Sequence, residues 1–205
     1  MAGTESMCSS SWETCVVRKP RQDQMKTVQT LKPNVSQQQA LRAFNAPGLS
    51  SLYWRSLRGP VQRLAQVYVP FMLFRVRYET GPTVNRRLFG IDSVDGSLDM
   101  FEFPRVPVTG ELLQLETRNS LPAALPAERA REIFREKVLR VVFQQGFFKL
   151  REPRIDITPE AVNVHLPYWL AFYGDQPVRC RVLDAVRRRM EGGKASAFFE
   201  TWLAA

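Results

Sequence analysis

The chain has no apolar run long enough for a membrane-crossing helix; its longest candidate, Val67 to Phe74, is strand-sized and contains Pro70. Cysteine is scarce and odd in number. Cys8, Cys15 and Cys180, two of them in a polar leader, do not make the framework of a disulfide-stapled secreted domain. The opening Met1 to Ser10 segment lacks the basic start and apolar core of a secretory signal, so a cytoplasmic setting is expected. Histidine occurs once, at His165, which excludes a metal cage built on several imidazoles. With Cys8 and Cys15 stranded in the leader, no metal or other cofactor is expected. Also missing are a Walker-type glycine loop, a dinucleotide fingerprint and a Gly-x-Ser-x-Gly elbow; Gly192-Gly193-Lys194 lacks the upstream glycine and strand that a phosphate loop needs.

Apolar residues are abundant instead, at 44% with 11% aromatic, enough for a packed interior. The formal charge is +9 and is unevenly placed. Residues 1–65 hold nine basic and three acidic groups, residues 66–125 six and seven, and residues 126–205 fourteen and ten. Arginine supplies 23 of the 29 cations, which fits either phosphate and carboxylate recognition through its planar fork or a plain coding bias.

Three regions follow. Residues 1–34, rich in Ser, Thr, Gln and Lys without a period, read as a disordered leader, with Met25 offering a later start. Residues 35–125 read as a helix, a β-meander and a connector. Ser36 caps a helix through Ala40 and Phe44 that ends before Pro47-Gly48. Val67 to Tyr78 then forms a half-buried strand, Gly81-Pro82 turns it, Arg87 to Ile91 returns, and Asp95-Gly96 leads to Leu98 to Phe103. A proline-spaced connector runs from Pro104 to Pro126. Residues 126–205 hold the clearest helix, with Pro126 at its start, Ala130, Phe134 and Val138 on one face and Gly146 as a stop. A hairpin from Val162 through a Gly174-Asp175 turn to Val186 follows, and a last helix spans Lys194 to Leu203.

The second and third regions read as copies. Val67-Tyr-Val-Pro70-Phe71 parallels Val164-His-Leu-Pro167-Tyr168, Asp92 parallels Asp184, and Ala40 with Phe44 parallels Ala130 with Phe134. The expected fold is α+β: two pseudo-repeated helix and hairpin units forming a mainly antiparallel sheet with helices on one face. A helix followed by a hairpin closing on Asp92-Ser-Val-Asp-Gly96 resembles the PepSY-type unit over about 40 residues. That resemblance implies topology and no catalytic signature; the family's association with exported proteins and protease modulation does not match a chain without a signal. The second copy departs from it, with Arg187-Arg188-Arg189 where the turn glycine belongs.

Candidate chemistry is thin. A two-residue Gly174-Asp175 turn places Cys180 opposite Trp169 and His165 opposite Asp184, about 13 Å between sulfur and imidazole at ~3.3 Å per residue, too far for a dyad. Asp184 and His165 then form a cross-strand pair with no nucleophile to complete a triad. Asp92, Asp95, Asp99 and Glu102 fit ordinary turn chemistry. The sequence therefore points to a non-catalytic binding or scaffolding protein, with a protein partner or self-association and with Tyr168, Trp169, Phe199 and Trp202 as partner-contacting rings. The alternative is nucleic-acid binding through Arg179, Arg181, Arg187, Arg188 and Arg189 beside those aromatics.

Overall fold

The structure, a computed structural model, describes residues 25–46, 56, 59–80, 83–144, 155–173 and 179–204. In chain order the elements are β1 (Lys26–Leu31), α1 (Gln37–Asn45), β2 (Val61–Thr80), β3 (Thr83–Asp92), β4 (Phe101–Phe103), β5 (Leu112–Thr117), α2 (Ala127–Gln144), β6 (Ile155–Tyr173), β7 (Arg179–Asp184), β8 (Arg189–Met190) and α3 (Gly193–Ala204). They make a mixed α+β fold around one curled, largely antiparallel sheet, ordered β4-β3-β2-β6-β1-β5, with β7 and β8 continuing from β6.

Two long strands organise the sheet. β2 and β6 run antiparallel from Val61 opposite Tyr173 to Tyr78 opposite Ile155. Side-chain alternation decides which core each residue enters. Val67, Val69, Phe71 and Leu73 of β2 and Leu166, Tyr168, Leu170 and Phe172 of β6 share one face, packed with Phe198, Phe199 and Trp202 of α3. On the other face α1 places Ala40 and Phe44 among Trp169, Ala171 and Tyr173. At the opposite end of that face α2 places Ala130 and Phe134 among Phe74, Val76 and Tyr78. Both faces of the central strands are buried, which is why their sequences read as near-continuous apolar runs. The helices consequently occupy both faces, not one, because α3 follows the Cys180 and Val182 side of β7.

Lys26–Leu31, placed by composition in the disordered leader, is a strand. Val28 and Thr30 are buried because β1 pairs along its length with β5 and meets β6 in parallel at Thr30 and His165. Burial supplied by distant strands offsets an ordering cost that no local window sees repaid. Residues 1–24 of the leader lie outside the described residues, as do the Gly81-Pro82 and Gly174-Asp175 turns and Gly146. The connector, for its part, contains β5. The second hairpin closes with Tyr173 opposite Arg179, leaving five residues between them instead of two. Cys180 accordingly faces Phe172 and Asp184 faces Tyr168.

Pro70 and Pro167 lie inside the central strands, where a missing N–H is normally costly. Backbone direction alternates along a strand, so Pro70 points its polar groups to the same side as Tyr68. Tyr68 donates to Asn119 O and accepts from Leu121 N, while Pro70 O accepts from Ser93 N. The absent donor therefore falls where the outer neighbour of β2 changes from β3 to residues 119–121. Pro167 stands at the matching place on β6: its carbonyl accepts from Ala185 N, and β1 meets β6 two residues away, at His165.

Candidate functional site

Two carboxylates close the turns that shape the site. Asp92 is fully buried at the end of β3. Its Oδ1 accepts from the N–H groups of Val94, Asp95 and Gly96 at 3.3, 3.1 and 2.9 Å, and its Oδ2 from Leu98 at 2.9 Å. Burial pushes the Asp92 carboxyl above its ordinary range, and these backbone donors offset part of the rise. At the end of β7, Asp184 accepts from the N–H groups of Val186 and Arg187, both at 2.8 Å, and pairs with Arg187 Nε at 2.6 Å. Arg187 is thereby fixed, with its guanidinium 4.7 Å from the centre of the Phe101 ring. Burial disfavours its charge, but Asp184 more than compensates and the guanidinium is held cationic.

Beside these turns opens a cleft of about 640 Å³. Arg87 of β3, Lys137 and Arg140 of α2, Arg187 and Arg189 beyond β7, and Lys194 of α3 line it, with Asp99 and Glu102 as the only carboxylates among its lining residues. Phe89, Met100 and Val141 supply its apolar wall. Six cations and two carboxylates line it, and Asp184 and Glu191 behind the lining pair with Arg187 and Arg189, which leaves a local excess of two positive charges with Arg87, Lys137, Arg140 and Lys194 outside those buried pairs. Helical spacing sets Lys137, Arg140 and Val141 on one face of α2, and strand spacing aligns Arg87 with Phe89.

Apart from the Arg187–Asp184 pair, the ion pairs made by the cleft cations are long. Arg87 meets Glu102 at 3.3 Å, Arg189 meets Glu191 at 3.2 Å, and Lys194 approaches Asp99 only to 3.9 Å. The Arg87 and Lys194 pairs have exposed carboxylates and contribute about 0–1 kcal/mol, so these two cations can be recruited by a stronger anion, whereas the Glu191 side chain is buried. Lys137 donates to the Leu98 carbonyl. Burial first, and the nearby Lys194 second, push its pKa down. Lys194 itself occupies the first turn of α3, the end of a helix where positive charge is least favoured.

The arginines nominated from the sequence do not form one group. Only Arg187 and Arg189 line the cleft. Arg179 pairs with Glu200 at 2.5 Å, Arg181 donates to the Phe44 carbonyl at 3.2 Å, and Arg188 is exposed at a left-handed φ of 57°. Tyr168, Trp169, Phe199 and Trp202 are all core residues. The Tyr168 and Phe199 rings meet at 5.7 Å, and Trp169 Nε1 donates to the Val35 carbonyl at 3.0 Å. A partner would reach these rings only by opening the core. Arg87, Lys137 and Arg140 were not singled out as site residues in the sequence, and Lys194 stood out only in the glycine pair that fails as a phosphate loop; the i, i+3 spacing of Lys137 and Arg140 was the one local signal that they share a face.

His165 and Cys180 do not meet. His165 faces Pro70 and Thr30, with Nδ1 3.2 Å from the Gln29 carbonyl, and burial keeps the ring neutral by lowering its pKa. The Cys180 thiol is pushed up to about 12, by burial and then by Glu200, and is a poor nucleophile. Among the described residues no group of three or more His, Cys, Asp or Glu side chains could hold a metal ion, and no helix is long and apolar enough to cross a membrane. Comparison with protein-family models, with curated proteins and with solved structures finds no significant match to the chain.

Proposed function

We propose that the chain is a non-catalytic binding protein built from two related helix and hairpin units, and that its partner surface is the cationic cleft. The observation that carries the reading is the convergence of six cations from β3, α2, the segment after β7, and α3 on one concavity. The buried titratable groups support it too: Asp92 and Asp184 are engaged as turn caps and His165 is engaged with a backbone carbonyl.

The two-unit reading rests on matched hydrogen bonds and registers. Pro70 pairs with His165 and Pro167 with Tyr68, so exchanging the strands leaves the pairing unchanged about Val69 and Leu166. Asp92 faces Phe71 as Asp184 faces Tyr168. Asn34 N donates to Ala185 O, and Ala124 N donates to Ser93 O. In this reading each unit lays its helix on the other unit's hairpin, α1 on β6 and β7, and α2 on β2 and β3. The PepSY-type resemblance extends to that topology alone. The nucleic-acid alternative has less support, since its aromatic rings are buried and Arg179 and Arg181 are engaged elsewhere.

Elution of the full-length protein from a phosphate-bearing cation-exchange matrix tests the cleft. Phosphate contacts make retention fall steeply with salt. The pair Arg140→Ser/Lys194→Ser should elute at clearly lower salt than Lys26→Ser/Arg42→Ser, which removes the same charge from exposed positions outside the cleft. Coincident elution would remove the cleft from the proposal.

A further inference from the structure

We propose that the cleft takes a compact ligand carrying at least two phosphate groups, an inference that rests on the cleft being the binding surface. Four of the six cations, Arg87, Lys137, Arg140 and Lys194, are not held by the buried carboxylates Asp184 and Glu191, and four recruitable cations are more than a single phosphate dianion neutralises, whereas a polyphosphate can engage them together. The cations also come from four separate elements: β3, α2, the segment after β7, and α3. Such an arrangement wraps a compact anion, whereas a groove that tracks a nucleic-acid strand strings its charges along a path and adds exposed rings for stacking. The volume of about 640 Å³ lies within the ~300–1,000 Å³ range of small-molecule sites.

Individual side chains favour the same ligand. Arg187 is preset by Asp184 and Phe101, so its fork meets phosphate oxygens with little further ordering. Lys137 and Lys194 both line the cleft and repel each other, and a polyanion between them turns that repulsion into two attractions. Met100 and Val141 leave an apolar wall for an organic group attached to the phosphates. The shared chemistry is the polyphosphate; its source is either inorganic or a nucleotide.

Calorimetric titration of the full-length protein separates the cases, using inorganic tripolyphosphate, ATP, AMP, orthophosphate and a short single-stranded RNA without terminal phosphates. Tripolyphosphate and ATP should each bind about tenfold or more tighter than AMP and orthophosphate, as expected when several phosphates are neutralised together. ATP binding more tightly than tripolyphosphate assigns the apolar wall to a base, and equal binding assigns the site to the polyphosphate moiety. Arg140→Ser/Lys194→Ser should lose about tenfold in tripolyphosphate affinity, and Asp99→Asn should gain roughly threefold by removing an opposing charge. A cooperative urea transition of the double variant matching the parent's separates a lost site from a folding failure, and the Asp99→Asn gain tests the site independently of the double variant. Orthophosphate binding as tightly as tripolyphosphate, RNA displacing both polyphosphates, or unchanged affinity in the double variant would overturn the proposal. Cleft-dependent retention on the phosphate matrix without tripolyphosphate binding would remove the ligand class and leave the binding surface; failure of both removes both.

Discussion

α1 and α2 occupy opposite ends of one sheet face and are seated by the same device with different materials. Each is led in by a backbone bond to the residue after a turn aspartate, Asn34 to Ala185 at 2.7 Å and Ala124 to Ser93 at 2.9 Å. Each buries an alanine and, four residues later, a phenylalanine. α1 is opened by a capping box between Ser36 and Gln39, whereas α2 opens after Pro126 with Glu128 in its first turn. Phe44 has the Arg181 guanidinium 6.0 Å from its ring centre, and Phe134 stacks on Phe74 at 4.5 Å. α2 has 18 residues to the nine of α1, and the added turns are those that carry Lys137 and Arg140 into the cleft. The seat is therefore a matter of stability, and the extension beyond it carries the charge.

The largest expected effects test the seats. Phe134→Ala should destabilise by about 3–5 kcal/mol in urea unfolding, since a fully buried ring leaves a cavity. Phe44→Ala should fall in the lower part of that range, because the stacked contact with Phe74 adds about 0.5–1.5 kcal/mol on the α2 side alone. A loss below about 1 kcal/mol at Phe44 would break the equivalence of the two seats.

The turns sharpen the comparison. Gly96 and Arg188 both adopt left-handed backbone, at φ of 73° and 57°. A Cβ on Gly96 would lie 3.1 Å from Ile133 Cδ1 and 3.3 Å from Leu125 Cδ2, so α2 packs where a side chain would stand. Arg188 faces solvent and meets no such obstacle. Gly96→Ala should therefore lose more than the about 1–2 kcal/mol of the left-handed conformation itself, while Arg188→Gly should gain up to about 1 kcal/mol. Thermal unfolding of both variants checks the pair. A destabilising Arg188→Gly would mean that the arginine side chain holds its turn in a way the glycine turn does not share.

The elements most legible in the sequence carried their own signals. Ser36, Pro126 and the two Ala/Phe pairs located α1 and α2, and the Asp92 and Asp184 matches located the ends of the return strands. What the sequence hid depends on partners far along the chain. β1 is a strand because β5 and β6 flank it, and no residue between Lys26 and Leu31 announces that. The hairpin register was misread because five residues, not two, separate Tyr173 from Arg179. The arginine run pointed to the right neighbourhood through Arg187 and Arg189, but strand alternation sends Arg181 toward α1 and the Asp184 turn fixes Arg187 over Phe101. The cleft needs four separate elements, so its remaining cations had no common window.

The smallest expected effect concerns the two central strands at their matched positions, His165 on β6 and Tyr68 on β2. Each stands where a neighbouring segment pairs in parallel, Thr30 beside His165 and Ser120 beside Tyr68. Burial raises the Tyr68 hydroxyl above its ordinary value of 10.0, so that end of the sheet is silent between pH 5 and 7. Burial lowers His165 from its ordinary value of 6.5, with the Gln29 carbonyl opposing part of the shift. The unfolded chain then binds a proton at higher pH than the folded one. The resulting stabilisation is present above pH 6.5 and is lost as pH falls through the folded pKa. The parent protein should lose stability on acidification from pH 7 toward 5, and His165→Asn should lose less over the same interval. As the chain has a single histidine, no other imidazole can mask the difference. Parallel pH profiles for parent and variant would show that the ring is not held neutral, and that the β6 position is as silent as its counterpart on β2.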